Sequence, residues 1–157
     1  MKHGIRIFAA AALFALAGSV WAGDKEDDPD LRQATAKFEQ ERRHLIEANL
    51  QLTGDEAARF WPLYDRFQKN LDALTERRRA IIAEFGENYD DMSEATAKKI
   101  MFERIQLSAE RFHLMKEYYP QFERALPVKK LARYYQIESK IYFSVEAGIA
   151  EELPLLK

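Results

Sequence analysis

The sequence predicts an all-α fold: a long, bent, antiparallel helical hairpin with flanking N- and C-terminal helices, about four helices in all, with coiled-coil-like packing. Apolar residues recur every three or four positions along most of the chain, which is the period of an α-helix. Glycine is sparse, with 6 residues in 157, whereas the helix-favouring residues Ala, Leu, Glu, Lys and Arg are abundant. No segment is rich in the residues that favour β-strands.

The N-terminus has the three parts of a secretory signal peptide. A basic start with Lys2 and Arg6 precedes an apolar run over residues 7–17 and a small-residue cleavage site that ends at Ala22. The apolar run is shorter than the roughly 20 residues that cross a membrane. We therefore expect cleavage after Ala22 and a periplasmic protein with no stable membrane insertion. An uncleaved membrane anchor is the alternative, which the small-residue site disfavours.

Composition excludes several classes of function. Of the 24 Lys and Arg residues two lie in residues 1–22, so 22 remain beside 26 Asp and Glu, a net charge of −4, whereas nucleic-acid binding favours a basic balance. The absence of cysteine excludes disulfides and a lipid anchor on cysteine. Residues 23–30 are acidic with almost nothing to bury, which predicts a disordered tail. Residues 31–157 are predicted to form a single helical domain.

The first two predicted helices meet at a capping signal. Helix one spans about residues 31–50. Thr53 then suits the N-cap of helix two, and Glu56, three residues later, completes a capping box. Helix two runs to about residue 87 with a seven-residue apolar repeat that only Arg78 interrupts. The apolar members of this repeat are Phe60, Tyr64, Phe67, Leu71, Leu74, Ile81 and Phe85.

A turn over about residues 86–92 leads to helix three, for which Ser93 is a plausible N-cap. The repeat resumes there and only Ser108 interrupts it. Because both arms sustain the spacing, we expect them to pack through these stripes as in a coiled coil. Pro127 suits the first turn of helix four, which Pro154 ends. The apolar members of the third helix's stripe are Met101, Ile105, Phe112, Met115, Tyr119, Phe122 and Leu126.

Pro62 and Pro120 lie inside the two arms at nearly the same height above the turn. A proline within a helix removes one backbone hydrogen bond and clashes with the preceding turn, so each should bend its arm. Two kinks at one level predict a curved, cradle-like hairpin. The alternative for Pro62 is that it marks a late start of helix two, since proline is common in first turns.

Aromatic and basic side chains of the hairpin form the candidate binding surface. Aromatic faces combined with guanidinium groups suit weak, adaptable binding of unfolded chains. Arg78 is the most specific member because it interrupts the apolar stripe, although its stem could instead pack on the stripe with its head in water. The aromatic members have an alternative role as ordinary core. The candidate residues are Phe60, Trp61, Tyr64, Arg77, Arg78, Arg79, Arg104 and Arg111.

Helix two starts at Leu52-Thr53-Gly54-Asp55-Glu56 and helix three at Met92-Ser93-Glu94-Ala95-Thr96. Together with the signal peptide, the long hairpin and the absence of cysteine, these starts resemble the Spy/CpxP-like periplasmic family, whose members carry two L-T-x-x-Q motifs. In this sequence glutamate stands where the first motif has glutamine, and the second motif keeps only its capping hydroxyl. Residues 132–140 and 153–156 also look like a divergent branch of these proteins, and the resemblance covers most of residues 31–156. The matching motif residues are Leu52, Thr53 and Glu56, then Met92, Ser93 and Thr96.

The resemblance implies a function in binding. Family members studied as chaperones imply a curved helical dimer whose concave face holds unfolded clients without ATP. Other members imply an adaptor that damps an envelope-stress sensor, or zinc binding. The implied partners are therefore unfolded or envelope proteins, with no cofactor. A homodimer is also expected because long, thin arms bury too little area alone.

Two Glu-x-x-His pairs raise the alternative of a metal site: Glu41 with His44, and Glu110 with His113. This spacing puts both members on one helix face. Paired motifs of this kind are typical of four-helix di-iron bundles, the remote enzymatic alternative, although arginines inside both motifs disfavour a cation. Glu76 or Glu84, together with Glu138, would supply the further carboxylates of such a bundle.

A looser zinc or copper site is the second metal alternative, and it predicts a periplasmic metal sensor or buffer. Its candidate ligands are Glu110, His113, Met115 and Glu117. The simplest alternative is that both histidines are solvated among helical ion pairs. The sequence has no cysteine nucleophile, no Gly-rich phosphate loop and no Ser-His-Asp arrangement, so we do not expect an enzyme.

Overall fold

The structure is a computed structural model that describes residues 29–156. The regular elements in that range are all helical, so the predicted all-α fold with about four helices is confirmed. The predicted signal peptide and residues 23–28 of the predicted acidic tail lie outside the described residues. The helices are α1 (Pro29–Leu50), α2 (Gly54–Asn88), α3 (Glu94–Ala125) and α4 (Val128–Glu152), with a 3-10 turn at Tyr89–Asp91. In this part of the chain no helix combines the length and apolarity that a membrane crossing needs.

The chain forms two compact units. The helix-pair unit combines α1 with residues 133–155, which hold most of α4. The hairpin unit consists of residues 51–132, which include α2, α3 and the first residues of α4, together with Leu156. The prediction of a single domain over residues 31–157 stays a prediction.

The arms of the hairpin unit, α2 and α3, pack together in antiparallel orientation. Phe60, early in α2, contacts Phe122, late in α3, with ring centroids 5.7 Å apart. Glu84, late in α2, accepts a hydrogen bond of 2.7 Å from Lys99, early in α3. Aromatic rings dominate the core between the open ends of the arms and add specific ring contacts to the burial of apolar area. Buried residues are Phe60, Leu63, Tyr64, Phe67, Leu71 and Ile81 of α2 and Leu107, Tyr118, Phe122 and Ala125 of α3.

Both predicted caps are confirmed. The Thr53 hydroxyl accepts a hydrogen bond of 3.4 Å from the Glu56 backbone N–H, and the Glu56 carboxylate accepts one of 2.8 Å from the Thr53 N–H. At the start of α3 the Ser93 hydroxyl accepts from the Thr96 N–H at 3.1 Å. Each cap satisfies a backbone donor that would otherwise have no partner within the helix, which is typically worth about 1 kcal/mol.

Pro62 and Pro120 lie inside α2 and α3. Because α2 already begins at Gly54, the alternative that Pro62 marks a late helix start is wrong. The capping box starts the helix upstream, and the helix continues through the position where proline removes one backbone donor. The predicted curvature of the hairpin stays a prediction.

The predicted core stripe of the third helix is wrong over most of its length. Met101, Ile105 and Phe112 are 60%, 60% and 63% exposed, although Phe122 and Leu126 are buried as predicted. The helix carries two apolar stripes of similar spacing, and the one that faces α2 includes Leu107 and Tyr118. The Tyr118 hydroxyl accepts a hydrogen bond of 2.8 Å from the Asn70 side chain, which helps to hold this face against α2.

The helix-pair unit has a separate small core, to which α1 contributes Ile46 and Leu50. Glu138 of α4 is also buried, with 2% of its side chain exposed, and forms an ion pair with Arg42 of α1. A buried carboxylate needs such a partner because burial removes its hydration. The Arg133 guanidinium donates a hydrogen bond of 3.1 Å to the backbone carbonyl of Asn49, near the end of α1. The residues that α4 contributes to the core of the helix-pair unit are Tyr134, Ile137 and Ile141.

Candidate binding surface

Two of the three predicted aromatic binding residues lie in the hairpin core. Phe60 is 0% exposed and Tyr64 is 4% exposed. Trp61 is half-buried and contacts both rings edge-on, with centroid distances of 5.0 Å and 5.4 Å. Phe60 and Tyr64 are therefore core residues, which was the alternative that the sequence left open, and they do not belong to an exposed surface of the hairpin unit.

The run of three arginines in α2 does not act as one basic patch, because successive residues of a helix point about 100° apart. Arg77 forms an ion pair with Glu110 of α3, and this carboxylate raises the pKa of the Arg77 guanidinium. Arg79 pairs with Glu76 of its own helix. Arg78 is half-buried within the apolar stripe, which fits a stem packed on apolar neighbours.

The most exposed apolar surface of the hairpin unit lies on α3. We define the outer stripe as Met101, Ile105, Phe112 and Tyr119, whose exposed fractions are 60%, 60%, 63% and 42%. Phe102, beside the outer stripe, is 59% exposed. Single exposed apolar residues are ordinary, but several along one helix edge are typical of an interaction surface.

Charged residues divide the surface of α3 into two edges. At about 100° per residue, Arg104 and Arg111 are half-buried on the side of the buried face nearest the outer stripe, while Lys98 and Lys116 lie along the stripe's far side. Between Lys98 and Tyr119, a stretch that the structure describes throughout, this outer edge carries four cations and no carboxylate. One turn further on, the Glu123 carboxylate accepts a hydrogen bond of 3.3 Å from the Tyr119 hydroxyl. The surface around the outer stripe is therefore apolar and positively charged.

The opposite edge of α3 is acidic and bound to α2. Glu103, Glu110 and Glu117 recur every seven residues on the far side of the buried face. Glu110 binds Arg77, and Lys99, on this same edge, donates hydrogen bonds of 2.7 and 2.8 Å to Glu84. The hydrogen bond to Glu84 raises the pKa of the Lys99 ammonium. These contacts between the arms explain which stripe of α3 faces inward.

The residues of the family-like motifs form a structural junction that includes a residue the sequence reasoning missed. Lys130, in the first turn of α4, donates hydrogen bonds of 2.5 Å to the Glu56 carboxylate and 2.8 Å to the Gln51 carbonyl. The hydrogen bond from Lys130, together with that from the Thr53 backbone, lowers the pKa of Glu56. Gln51, which lies in the sequence between α1 and α2, has a φ of 47°, in the left-handed region. No local pattern links Lys130 to this cap, because 74 residues separate it from Glu56.

In the second motif the polar contacts are those of the helix cap, between Ser93 and Thr96. The Ser93 hydroxyl also bonds the Thr96 hydroxyl at 2.8 Å. Leu52 and Met92 are half-buried beside their respective caps. The motif residues thus start α2 and α3, and their placement gives them a role in building the hairpin.

The structure gives no support to the metal hypotheses. Glu41 and His44 lie on α1 in the helix-pair unit, whereas Glu110, His113 and Glu117 lie on α3 in the hairpin unit. Among residues 29–156 no three His, Asp or Glu side chains are grouped so that they could hold a metal ion. Four of the candidate carboxylates form ion pairs: Glu76 with Arg79, Glu84 with Lys99, Glu110 with Arg77 and Glu138 with Arg42.

No protein-family model, curated protein or solved structure matches this chain. The resemblance to the Spy/CpxP-like family therefore depends on the sequence pattern alone and stays an expectation.

Proposed function

We propose that this protein is a non-enzymatic binding protein of the bacterial periplasm, either a chaperone that holds unfolded proteins without ATP or an envelope-stress adaptor that binds partner proteins. The observation that carries the proposal is the outer stripe of α3, where Met101, Ile105 and Phe112 are each 60–63% exposed. An apolar surface of this kind gains free energy when another protein covers it.

The chemistry around the outer stripe supports adaptable binding. Met101 is unbranched and flexible, so it can follow apolar partners of different shape. Arg104 and Arg111 add guanidinium groups, which interact with carboxylates and with aromatic faces of a bound chain. Weak contacts of both kinds suit unfolded clients that all contain apolar, aromatic and acidic residues but have no common sequence.

The sequence supports the location and the assembly that we propose. The signal-peptide pattern over residues 1–22 supports export, and the resemblance to the Spy/CpxP-like family supports a chaperone or adaptor role. We propose a homodimer because long, thin helical arms bury little area by themselves. The zinc or copper sensor and the di-iron enzyme remain the alternatives, and no contact among the described residues favours either.

Light scattering tests this proposal. A chemically unfolded client is diluted into buffer that contains EDTA, with and without the purified protein, and aggregation is followed over time. We expect suppression near an equimolar ratio without metal or nucleotide. Absence of suppression would contradict the chaperone proposal, and suppression that disappears in EDTA would favour a metal-dependent protein.

Two paired variants identify the surface responsible in the same assay. Arg104→Ser with Arg111→Ser removes two cations beside the outer stripe and should weaken suppression. Arg77→Ser with Arg79→Ser also removes two arginines. These pair with Glu110, on the acidic edge of α3, and with Glu76 of α2, neither of which belongs to the outer stripe, so suppression should stay near that of the unchanged protein. Equal loss in both variants would show that overall positive charge, and not this surface, holds clients.

A further inference from the structure

We propose that the outer stripe is a docking site for one amphipathic helix of a partner protein, and that carboxylates flank the apolar seam of that helix. This inference rests on the proposed binding function and narrows it to a class of partner. The site comprises the outer stripe as defined above and the four cations along its two sides.

The shape of the outer stripe fits a single helix. Ile105, Phe112 and Tyr119 are seven residues apart, and Met101 lies four before Ile105. On α3 these residues fall within an arc of about 40° and extend over about 27 Å; exposed Phe102 lies about 60° beyond Ile105 at the N-terminal end of the site. A narrow seam with a seven-residue repeat suits the side chains of a second helix, whereas binding to a lipid surface needs a broader apolar face.

The charges of the site indicate the chemistry of the partner. In heptad terms Ile105 and Phe112 occupy a positions and Met101 occupies a d position. Arg104 and Arg111 are then at g, and Lys116 is at e, the positions that face charged residues of a partner helix. A partner with glutamate or aspartate at its own e and g positions would complement this cationic site.

A second copy of this chain fits the site poorly. In an antiparallel pair the g positions face each other, so Arg104 of one copy would lie opposite Arg111 of the other. In a parallel pair g faces e of the next heptad, which places Arg111 opposite Lys116. Both arrangements bring like charges together, and like-charge juxtaposition opposes association. The same positions in an acidic partner would give attraction.

Ser108 lies at a d position in the middle of the seam, where a docked helix would cover it. Its hydroxyl donates a hydrogen bond of 3.1 Å to the Arg104 carbonyl. A covered hydroxyl is costly only when it has no partner. Because α3 itself supplies the acceptor, the docked helix need not provide a polar group at this point.

A pair of synthetic peptides tests the proposal. Both contain three heptads with leucine at a and d, one with glutamate and the other with lysine at e and g. Affinity for the purified full-length protein is measured by fluorescence anisotropy at low salt, and helix formation is followed by circular dichroism. We expect the glutamate peptide to bind at least about tenfold more tightly and to become helical. Equal affinity for both peptides would overturn the proposal.

Matched variants locate the binding. Phe112→Ser should weaken binding of the glutamate peptide by about tenfold or more. Phe143→Ser is the control, because Phe143 is similarly exposed at 66% but lies on α4 in the helix-pair unit. The affinity of this variant for the glutamate peptide should stay within about twofold, as expected for a surface substitution that is not part of the site. Equal weakening by both substitutions would contradict docking on α3.

Charge reversal separates this partner from other occupants. Arg104→Glu with Arg111→Glu should reverse the preference in favour of the lysine peptide. Phosphatidylglycerol vesicles and analytical ultracentrifugation test two other occupants. Vesicle binding that Phe112→Ser abolishes would overturn the proposal in favour of a lipid surface, and a dimer that Phe112→Ser dissociates would overturn it in favour of a second copy. The scattering assay is independent, so failure of peptide binding leaves general client binding intact.

Discussion

The two apolar stripes of α3 have similar spacing but different environments. The inner stripe consists of the buried residues that face α2: Leu107, Tyr118, Phe122 and Ala125. Tyr118 and Phe122 are 7% and 2% exposed, whereas Phe112 in the outer stripe is 63% exposed. The edges of the helix explain this difference. Glu110, next to the inner stripe, binds Arg77 of α2, while four cations lie along the outer stripe between Lys98 and Tyr119. Apolar spacing thus predicts that a helix is amphipathic, and the charges beside each stripe indicate what the stripe faces.

The largest expected effect on stability comes from making the same substitution, phenylalanine to alanine, in each stripe. Phe122→Ala removes a ring that contacts Phe60 and Phe67 in the core. It should lower the free energy of unfolding by about 3–5 kcal/mol. Phe112→Ala removes an exposed ring and should change the free energy of unfolding by less than about 0.5 kcal/mol. Urea denaturation followed by circular dichroism measures both, and similar losses would contradict the assignment of inner and outer stripes.

Two ion pairs, one buried in the helix-pair unit and one exposed in the hairpin unit, also contrast burial with exposure, and the expected effect on stability is smaller. Arg42→Met leaves the buried Glu138 carboxylate without its cation and should lower the free energy of unfolding by about 3 kcal/mol. Lys99→Met breaks the pair with Glu84, whose members are 54% and 28% exposed, and should cost less than about 1 kcal/mol. Thermal denaturation at pH 7 compares the two variants. A larger loss from Lys99→Met would contradict the relation between burial and stability.

The smallest expected effect is a dependence on pH at the start of α2. The hydrogen bond from Lys130 lowers the pKa of Glu56 below its usual 4.5. Since the pKa is lower in the folded state, Glu56 stabilises the protein above pH 4.5, and this contribution is lost as the pH falls through the folded-state pKa. Glu56→Gln should therefore lose less stability than the unchanged protein between pH 5 and pH 3, as measured by urea denaturation.

Lys130→Met is the control for this prediction. It removes the main cause of the lowered pKa while leaving the glutamate in place, so the acid-dependent loss should shrink as it does in Glu56→Gln. If both variants keep the full dependence on pH, other carboxylates are responsible and the junction at Glu56 contributes little.

The helices and their caps could be predicted because their signals are local. Thr53 and Glu56 are three residues apart, and Ser93 directly precedes α3, so each cap is written in a few neighbouring residues. The assignment of Phe112 to the core failed for the opposite reason. The orientation of α3 depends on pairs between distant parts of the chain, such as Arg77 with Glu110, and a periodic pattern on one helix holds no record of them.

The candidate surface was predicted in part. The sequence predicts Arg104 and Arg111 as binding residues, and both lie beside the outer stripe, but Phe60 and Tyr64 are core residues. Glutamates that recur every seven residues along α3 were the available signal. Such a series predicts an edge that forms ion pairs with a neighbouring helix. The apolar stripe beside that edge, next to Glu110, is then the one that faces α2.

The central claim, that the outer stripe holds other proteins, is tested most directly by light scattering with three proteins side by side. These are the unchanged protein, Phe112→Ser and Phe143→Ser, each mixed with an unfolded client in EDTA. We predict that the unchanged protein and Phe143→Ser suppress aggregation equally and that Phe112→Ser suppresses it much less. Equal suppression by all three would contradict the claim and move the binding surface away from α3.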